Sequence, residues 1–488
     1  MSDEGRPEPK AARQRRDFTF IPRAVNPIKV QEVSIISTDE GLRKSCARLQ
    51  AEMPWVSARV LGNPRAVSWM RREGGKVLVV DDVAMNLMDV DAARRESGDV
   101  VVVLLSFVKL VQIATPEVSR REFPYTAKAD LVFAVNQSDI SPDRIIASVV
   151  RAAEDHLNIR KRSDVRRFIV LIVDDEPCWP SQFLPVLYKL IGQRAGVSIS
   201  RTYEEALRFM FGVRYESEIA ADYWEHGCGD QVVCLITDLL FPKGSDISAE
   251  AGREFIRLVR KYYDRIPIVI ASKAKEALEL ADAGFVLPKG DEGSLDMLRS
   301  FLRDQTGMGD FVLYDERGVQ RRRLKEIGGI YSMLSEAAGQ GQEAQDLRKL
   351  LEAYGERDKF STWFYMHSYR ELGDRLRPLR VRGRRMITVL RRLLLREMLR
   401  MRYTPLRLDR TEVYNLGRLA EAVRSADPAQ VEALANDDAI SSWLDRKGYS
   451  ELADALRPIH GKGPELGRMI SDIVEKWHSI YRNRGIPG

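Results

Sequence analysis

The stretch Phe168-Ile-Val-Leu-Ile-Val173 runs without a break into Asp174-Asp175-Glu176, and this passage from apolar to acidic constrains the chain more than any other feature. Six apolar residues in a row cannot alternate between core and solvent. They predict a strand covered on both faces, the condition of a central parallel strand, with its carboxyl end opening on a polar crevice. Further runs have the same form. Val232-Val-Cys-Leu-Ile-Thr237 is followed by Asp238, Ile266-Pro-Ile-Val-Ile-Ala271 by Ser272, and Phe285-Val-Leu-Pro288 by Lys289. In an open α/β sheet, ligands bind outside the carboxyl ends of the strands, where the strand order reverses. One apolar strand ending in Asp is commonplace, because strand ends meet solvent. Five such positions in series, with helical stretches between them, are not.

The residue types fit one chemistry. Three carboxylates within reach of each other repel unless a hard cation lies among them, and Mg2+ takes carboxylate oxygens together with waters and a phosphate oxygen. A carboxylate can itself accept a phosphoryl group. The metal and the Lys289 ammonium would neutralise the oxygens of that group, and the Ser272 hydroxyl could donate to one of them.

This pattern resembles the receiver domain of two-component response regulators, over roughly Arg166 to Thr306. The resemblance implies a flavodoxin-like, doubly wound parallel sheet. It implies Mg2+ held by Asp174, Asp175 and Asp238, phosphorylation on Asp238, Ser272 as the switch hydroxyl and Lys289 as the conserved lysine. A histidine kinase or phosphotransfer protein would supply the phosphoryl group. Two departures stand out. Gly290 follows Lys289 where receivers carry proline, and Val286 occupies the aromatic position, with Phe285 one place off.

The preceding residues, 29–162, read as a second copy of the same α/β plan after a polar tail over 1–28. The strands are Val33-Ser-Ile-Ile36, Ala58-Arg-Val-Leu61, Val77-Leu-Val-Val80, Val100 to Leu105 and Leu131 to Val135, and Ile145 to Leu157 is the last helix. Asp81 or Asp82 then takes the acceptor position and Ser106 the hydroxyl position. However, the first strand ends in Ser37-Thr38 and the last in Ala134-Val135-Asn136. Without an acidic pair or a lysine this half is expected to be a pseudo-receiver, a docking or dimerisation module.

Beyond the receiver-like segment (166–307) the pattern becomes helical. A short hairpin over Met308–Gly318 leads into an internal repeat at an offset of 80. Ser361-Thr-Trp363…Tyr369-Arg-Glu371-Leu372-Gly-Asp374-Arg-Leu376-Arg377-Pro378 recurs as Ser441-Ser-Trp443…Tyr449-Ser-Glu451-Leu452-Ala-Asp454-Ala-Leu456-Arg457-Pro458, identical at nine of eighteen positions. Tyr369, Leu372 and Leu376 share one helical face. Each copy, 308–402 and 403–488, is therefore expected to be a small helical unit with a buried Trp and a Leu stripe. The order of receiver, Gly309-Asp-Phe-Val312 hairpin and Trp helix is similar to the N-terminal region of receiver-bearing phosphoenolpyruvate-synthase-like proteins; Phe183-Leu-Pro-Val-Leu-Tyr188 and Asp238-Leu-Leu-Phe-Pro242 add to that likeness.

Arg382–Arg402 carries eight arginines and one acid with apolar residues at helical spacing. Such a helix can meet acidic partners, anionic lipid or a phosphate backbone; the reading preferred here is a core helix solvated by its arginines, with Arg384, Arg391 and Arg392 as candidate partner contacts. Other classes drop out. No apolar run reaches the length of a membrane span. Cys46, Cys178, Cys228 and Cys234 form no CxxC, and read as reduced cytoplasmic thiols and not as a zinc site with His226. There is no Walker loop or kinase signature. The whole predicts a response regulator that catalyses at most its own phosphorylation and dephosphorylation, and signals through a helical protein-binding region. The rivals are a phosphorylation-independent scaffold and a nucleic-acid-binding output through 382–402. A homodimer is compatible with the first reading.

Overall fold

The computed structural model describes residues 23–24, 28–62, 75–97, 100–108, 123–135, 141–160, 165–166, 168–212, 227–248, 250–273, 284–315, 317–376, 381 and 383–485. Asn136, His226, Pro378 and Arg382 lie outside these residues. The chain is α/β and divides into two compact units, Met1–Tyr188 with Ala195–Arg299, and Lys189–Arg194 with Ser300–Gly488.

The first unit holds two five-stranded parallel sheets. One is built from β1 (Val30–Ile36), α1 (Glu40–Glu52), β2 (Ser57–Leu61), β3 (Gly75–Val80), α2 (Asp82–Leu87), α3 (Val90–Ser97), β4 (Val100–Ser106), β5 (Leu131–Ala134) and α4 (Pro142–Arg160). Its strand order is β2-β1-β3-β4-β5. The other contains β6 (Phe168–Val173), α5 (Cys178–Ile191), β7 (Ala195–Ser200), α6 (Tyr203–Phe211), β8 (Val232–Thr237), α7 (Ala251–Tyr262), β9 (Ile268–Ser272), β10 (Phe285–Pro288) and α8 (Ser294–Gln305). Its order, β7-β6-β8-β9-β10, repeats the first. In each sheet the order reverses between the first strand and the third, which opens a crevice at their carboxyl ends. The unbroken apolar runs explain the central strands: β4 and β6 are buried at every residue, so neither face needs polar side chains.

The backbone repeats in detail. Ile36 pairs with Val80 as Val173 pairs with Thr237, and Ser106 pairs with Ala134 as Ser272 pairs with Pro288. The equivalent positions are therefore Ser37 and Asp174, Thr38 and Asp175, Asp81 and Asp238, Ser106 and Ser272, and Val135 and Lys289. An exposed sheet edge is a pairing hazard, and at β7 the helix α4 covers it. Buried Asp155 accepts from the Val197 amide and the Tyr188 hydroxyl, each at 2.7 Å.

The second unit repeats a hairpin and five helices. The first series is β11 (Phe311–Tyr314), β12 (Gln320–Leu324), α9 (Ile327–Ala337), α10 (Gln342–Glu356), α11 (Lys359–Met366), α12 (Arg370–Leu376) and α13 (Gly383–Arg402). The second is β13 (Leu406–Leu408), β14 (Thr411–Val413), α14 (Leu416–Ser425), α15 (Pro428–Asn436), α16 (Ala439–Arg446), α17 (Ser450–Leu456) and α18 (Pro464–Asn483). Trp363 and Trp443 are both fully buried. Each ties its helix to the hairpin region by an indole N–H, to the Gly309 carbonyl at 2.9 Å and to the Thr404 carbonyl at 3.2 Å. The residue before each Trp helix, Asp358 or Asp438, is left-handed at φ 51° and 56°. In both copies its carbonyl accepts the hydroxyl of the serine three residues on, at 3.0 Å.

Candidate functional site

The carboxyl ends of β6, β8 and β10 bring Asp174, Asp238 and Lys289 into contact. Asp174 and Asp238 extend their strands by one backbone bond each, the Asp174 amide donating to Ser200 and the Asp238 amide to Val173. Lys289 sits just past β10, its amide donating to the Ser272 carbonyl at 3.2 Å. The Lys289 ammonium then bridges the two acids, 2.6 Å from Asp174 Oδ2 and in direct contact with Asp238 Oδ2. All five expected residues, Asp174, Asp175, Asp238, Ser272 and Lys289, are buried.

Burial of three acids around one ammonium sets the electrostatics. Desolvation raises the Asp174 carboxyl to about 7, although Lys289 pulls it down and Asp238 pushes it further up. Asp175 rises to about 8, first through burial and then through the charge of Asp174, with Lys289 offsetting least among the causes. Burial opposes the charge on Lys289, but Asp174 and Asp238 outweigh it and hold the ammonium protonated.

Two contributors, Trp179 and Gly252, have no counterpart in the sequence reading. The Trp179 ring roofs the site, with Lys289 Nζ 5.3 Å and Lys273 Nζ 5.0 Å from its centroid. Its indole N–H is fixed by Glu176 at 2.7 Å. The signal available was an aromatic four residues past the acidic pair, on the face of α5 turned to the strand end. Gly290 has φ +86°, and a Cβ there would meet the Trp179 ring at 3.7 Å. Proline is locked near −65° and cannot take that conformation, so the missing proline follows from the turn. At Gly252 a Cβ would lie 2.6 Å from the Asp238 carbonyl oxygen and 2.5 Å from Leu239 Cα. Only glycine lets α7 press against the loop after β8, where the Leu239 amide donates to Asp238 Oδ1 at 2.6 Å.

Asp174, Asp175 and Asp238 are the residues that could hold a hard divalent cation. The donors are hard carboxylate oxygens, and the repulsion that falls on Asp175 is the kind a divalent cation relieves. Among the described residues no three acidic, His or Cys side chains form a ready-made metal cage; Lys289 instead draws Asp174 and Asp238 onto its ammonium. A partial set of carboxylates suits Mg2+, which keeps several of its waters.

The equivalent end of the first sheet holds its aspartates with uncharged donors. Asp81 caps α2 through the Ala84 amide at 2.7 Å and accepts from the Ser37 hydroxyl at 2.7 Å and the Thr38 amide at 2.6 Å. Burial works against this carboxylate, yet the Ala84, Ser37 and Thr38 donors hold it below the usual range. Asp82 is engaged separately, by the Ser106 hydroxyl at 2.6 Å and the Phe107 amide at 2.7 Å. Val135 stands at the position of Lys289, its amide bonded to the Ser106 carbonyl.

No family model matches the chain, and no curated protein does. Among solved structures, one described as a probable two-component system response regulator/GGDEF domain protein is 16% identical, with a TM-score of 0.24, over 55% of this chain and 96% of its own. A second so described gives the same identity and score over 56% and 98%. A sugar binding protein from Salmonella typhimurium is 12% identical, with a TM-score of 0.18, over 56% and 88%. Similarity at this level carries no argument about activity.

The basic helix α13 buries Met386, Ile387, Leu390, Leu394 and Met401, so it is a core helix with an arginine-bearing outer face. Arg384 and Arg392 are exposed. Arg391 differs from them: it is half-buried with its guanidinium 5.6 Å from the Tyr331 ring centroid, and its Nε is buried without a partner. Arg391 thus belongs to the packing and not to the free surface. Among the described residues no helix is long and apolar enough to cross a membrane.

Proposed function

We propose that the chain is a response regulator whose second α/β half accepts a phosphoryl group on Asp238 and signals through its helical unit. The observation that carries this reading is the buried Lys289 ammonium shared by Asp174 and Asp238 beside Asp175, at a strand-order reversal. In the proposed reaction an Asp238 carboxylate oxygen attacks phosphorus, the bond from phosphorus to the donor's leaving atom breaks, and an acyl phosphate forms. Lys289 moves from the carboxylate to the phosphoryl oxygens that replace its charge, and the Ser272 hydroxyl donates to one of them. Asp174 and Asp175, with Asp238, would hold Mg2+, which when bound supplies the charge that lets a dianionic donor approach an acidic pocket. Trp179 and the tight Gly290 turn keep Lys289 aimed at the acceptor and limit access of water.

The first half is proposed as a pseudo-receiver. The support is that Asp81 is met by uncharged donors from Ser37, Thr38 and Ala84, and that Val135 stands at the position of Lys289. The test is binding of beryllium fluoride, a phosphoryl mimic, followed by tryptophan fluorescence because Trp179 lies over Lys289. Saturable, Mg2+-dependent quenching that is lost in Asp238→Asn is expected. Absence of a Mg2+-dependent signal would favour a phosphorylation-independent scaffold.

A further inference from the structure

The outer face of α13 combines charge with exposed apolar surface. Thr388, Arg392, Leu395 and Leu399 lie at i, i+4, i+7 and i+11, a single stripe on a helix, opposite the buried Met386, Ile387, Leu390 and Leu394. Leu395 is 44% exposed, Leu399 53% and Tyr403 71%, so the apolar part of the stripe is open. Exposed Arg384, Arg385 and Arg396 surround it. Glu397, the one acid of the helix, is buried and paired with Arg400 at 2.7 Å. The fold does not demand this pattern. The equivalent helix of the second copy, α18, exposes Met469 among Glu465, Arg468, Asp472, Glu475 and Lys476, a face of mixed charge and not a basic one.

We propose that this face of α13 docks an acidic amphipathic helix, with leucine-sized side chains seated on Leu395 and Leu399 and carboxylates opposite Arg384, Arg385, Arg392 and Arg396. The inference rests on the reading of the helical unit as output and names its partner class. Charge complementarity selects this occupant. A second copy would set arginines against arginines, an unfavourable like-charge contact. A bilayer would have to take the Arg392 guanidinium into the middle of the inserting stripe, between Thr388 and Leu395. A phosphate backbone would engage the arginines but leave the two leucines against phosphate, where burial contributes nothing. An acidic helix satisfies both sets, apolar anchors at the centre and charged pairs at the rim.

The experiment is display selection on the full-length protein with a pool of helical peptides carrying Leu at i, i+4 and i+7 and Glu or Gln at the flanking positions. The double variant Arg392→Glu, Leu399→Glu serves as the comparison. Enrichment of Glu-rich peptides whose affinity falls about tenfold or more in the variant, at an unchanged thermal midpoint, is expected. No enrichment, or peptides that bind both proteins equally, overturns the proposal. Tighter binding to duplex DNA or to phosphatidylserine vesicles, lost in the same variant, overturns it in favour of those surfaces. Beryllium fluoride binding to the same samples is read in parallel, so failure of this surface is distinguished from failure of the Asp238 reading.

Discussion

At the scale of single residues, one ammonium among three buried carboxylates dominates the site. Lys289 is the side chain whose removal should cost most. Lys289→Met leaves two buried acids without their counter-charge, so the folded state should lose about 3–5 kcal/mol at neutral pH. The loss should shrink on acidification, as those acids protonate. The wild-type protein carries a related signature. The carboxyls of Asp174 and Asp175 are raised to about 7 and about 8 in the fold, so the folded state holds their protons more tightly than the unfolded chain. Their contribution to stability is complete below about pH 4, the unfolded value, and is lost as pH rises through the folded values. In chelator, the thermal midpoint should therefore fall between about pH 4 and 8. Asp175→Asn should flatten that slope, and Mg2+ should restore stability at the alkaline end. A midpoint that rises with pH in chelator would contradict this electrostatic picture. Most of these residues were legible in the sequence, because strand ends announce themselves where apolar runs meet charge. Trp179 and Gly252 were not. Their roles come from packing across elements, which no spacing records.

At the scale of elements, the two sheets show one backbone plan with different chemistry at its rim. Asp81 looks like an acceptor in the sequence, but in the fold it is the capping residue of α2 and the anchor for Ser37 and Thr38. Asp81→Ala should cost about 1–2 kcal/mol through the lost cap and leave phosphoryl labelling unchanged. A drop in labelling would mean the first half takes part in the chemistry. The Trp helices carry a parallel prediction. Trp443→Phe removes a buried donor from the Thr404 carbonyl and should destabilise by about 1–3 kcal/mol, measured by chemical denaturation. The repeat was visible in eighteen sequence positions around Trp363 and Trp443. Its full extent, a hairpin and five helices in each copy, was not, because α9, α10, α14 and α15 keep only the apolar spacing of helices and can exchange every other side chain. The bare leucines of α13 were hidden for a similar reason. Its periodicity showed an amphipathic helix, but which leucines were covered depended on neighbours in the three-dimensional packing.

At the scale of the molecule, a parallel-sheet unit and a duplicated helical unit are joined in one chain, and the surfaces outside their cores decide what the protein meets. Charge reversal at Arg384 and Arg392 should leave stability within about 0.5 kcal/mol of wild type, as exposed substitutions do. Arg391→Glu should destabilise more than either, because it removes the stack on Tyr331 and buries an acid in its place. Equal stability of all three variants would contradict the assignment of Arg391 to the packing. The central claim, that phosphoryl chemistry belongs to the second sheet and not the first, is tested most directly by incubating the full chain with acetyl phosphate and Mg2+ and measuring intact mass. One added phosphoryl group is expected on wild type and on Asp81→Asn, and none on Asp238→Asn or on wild type in chelator. Labelling that survives Asp238→Asn, or that proceeds without a divalent cation, would contradict it.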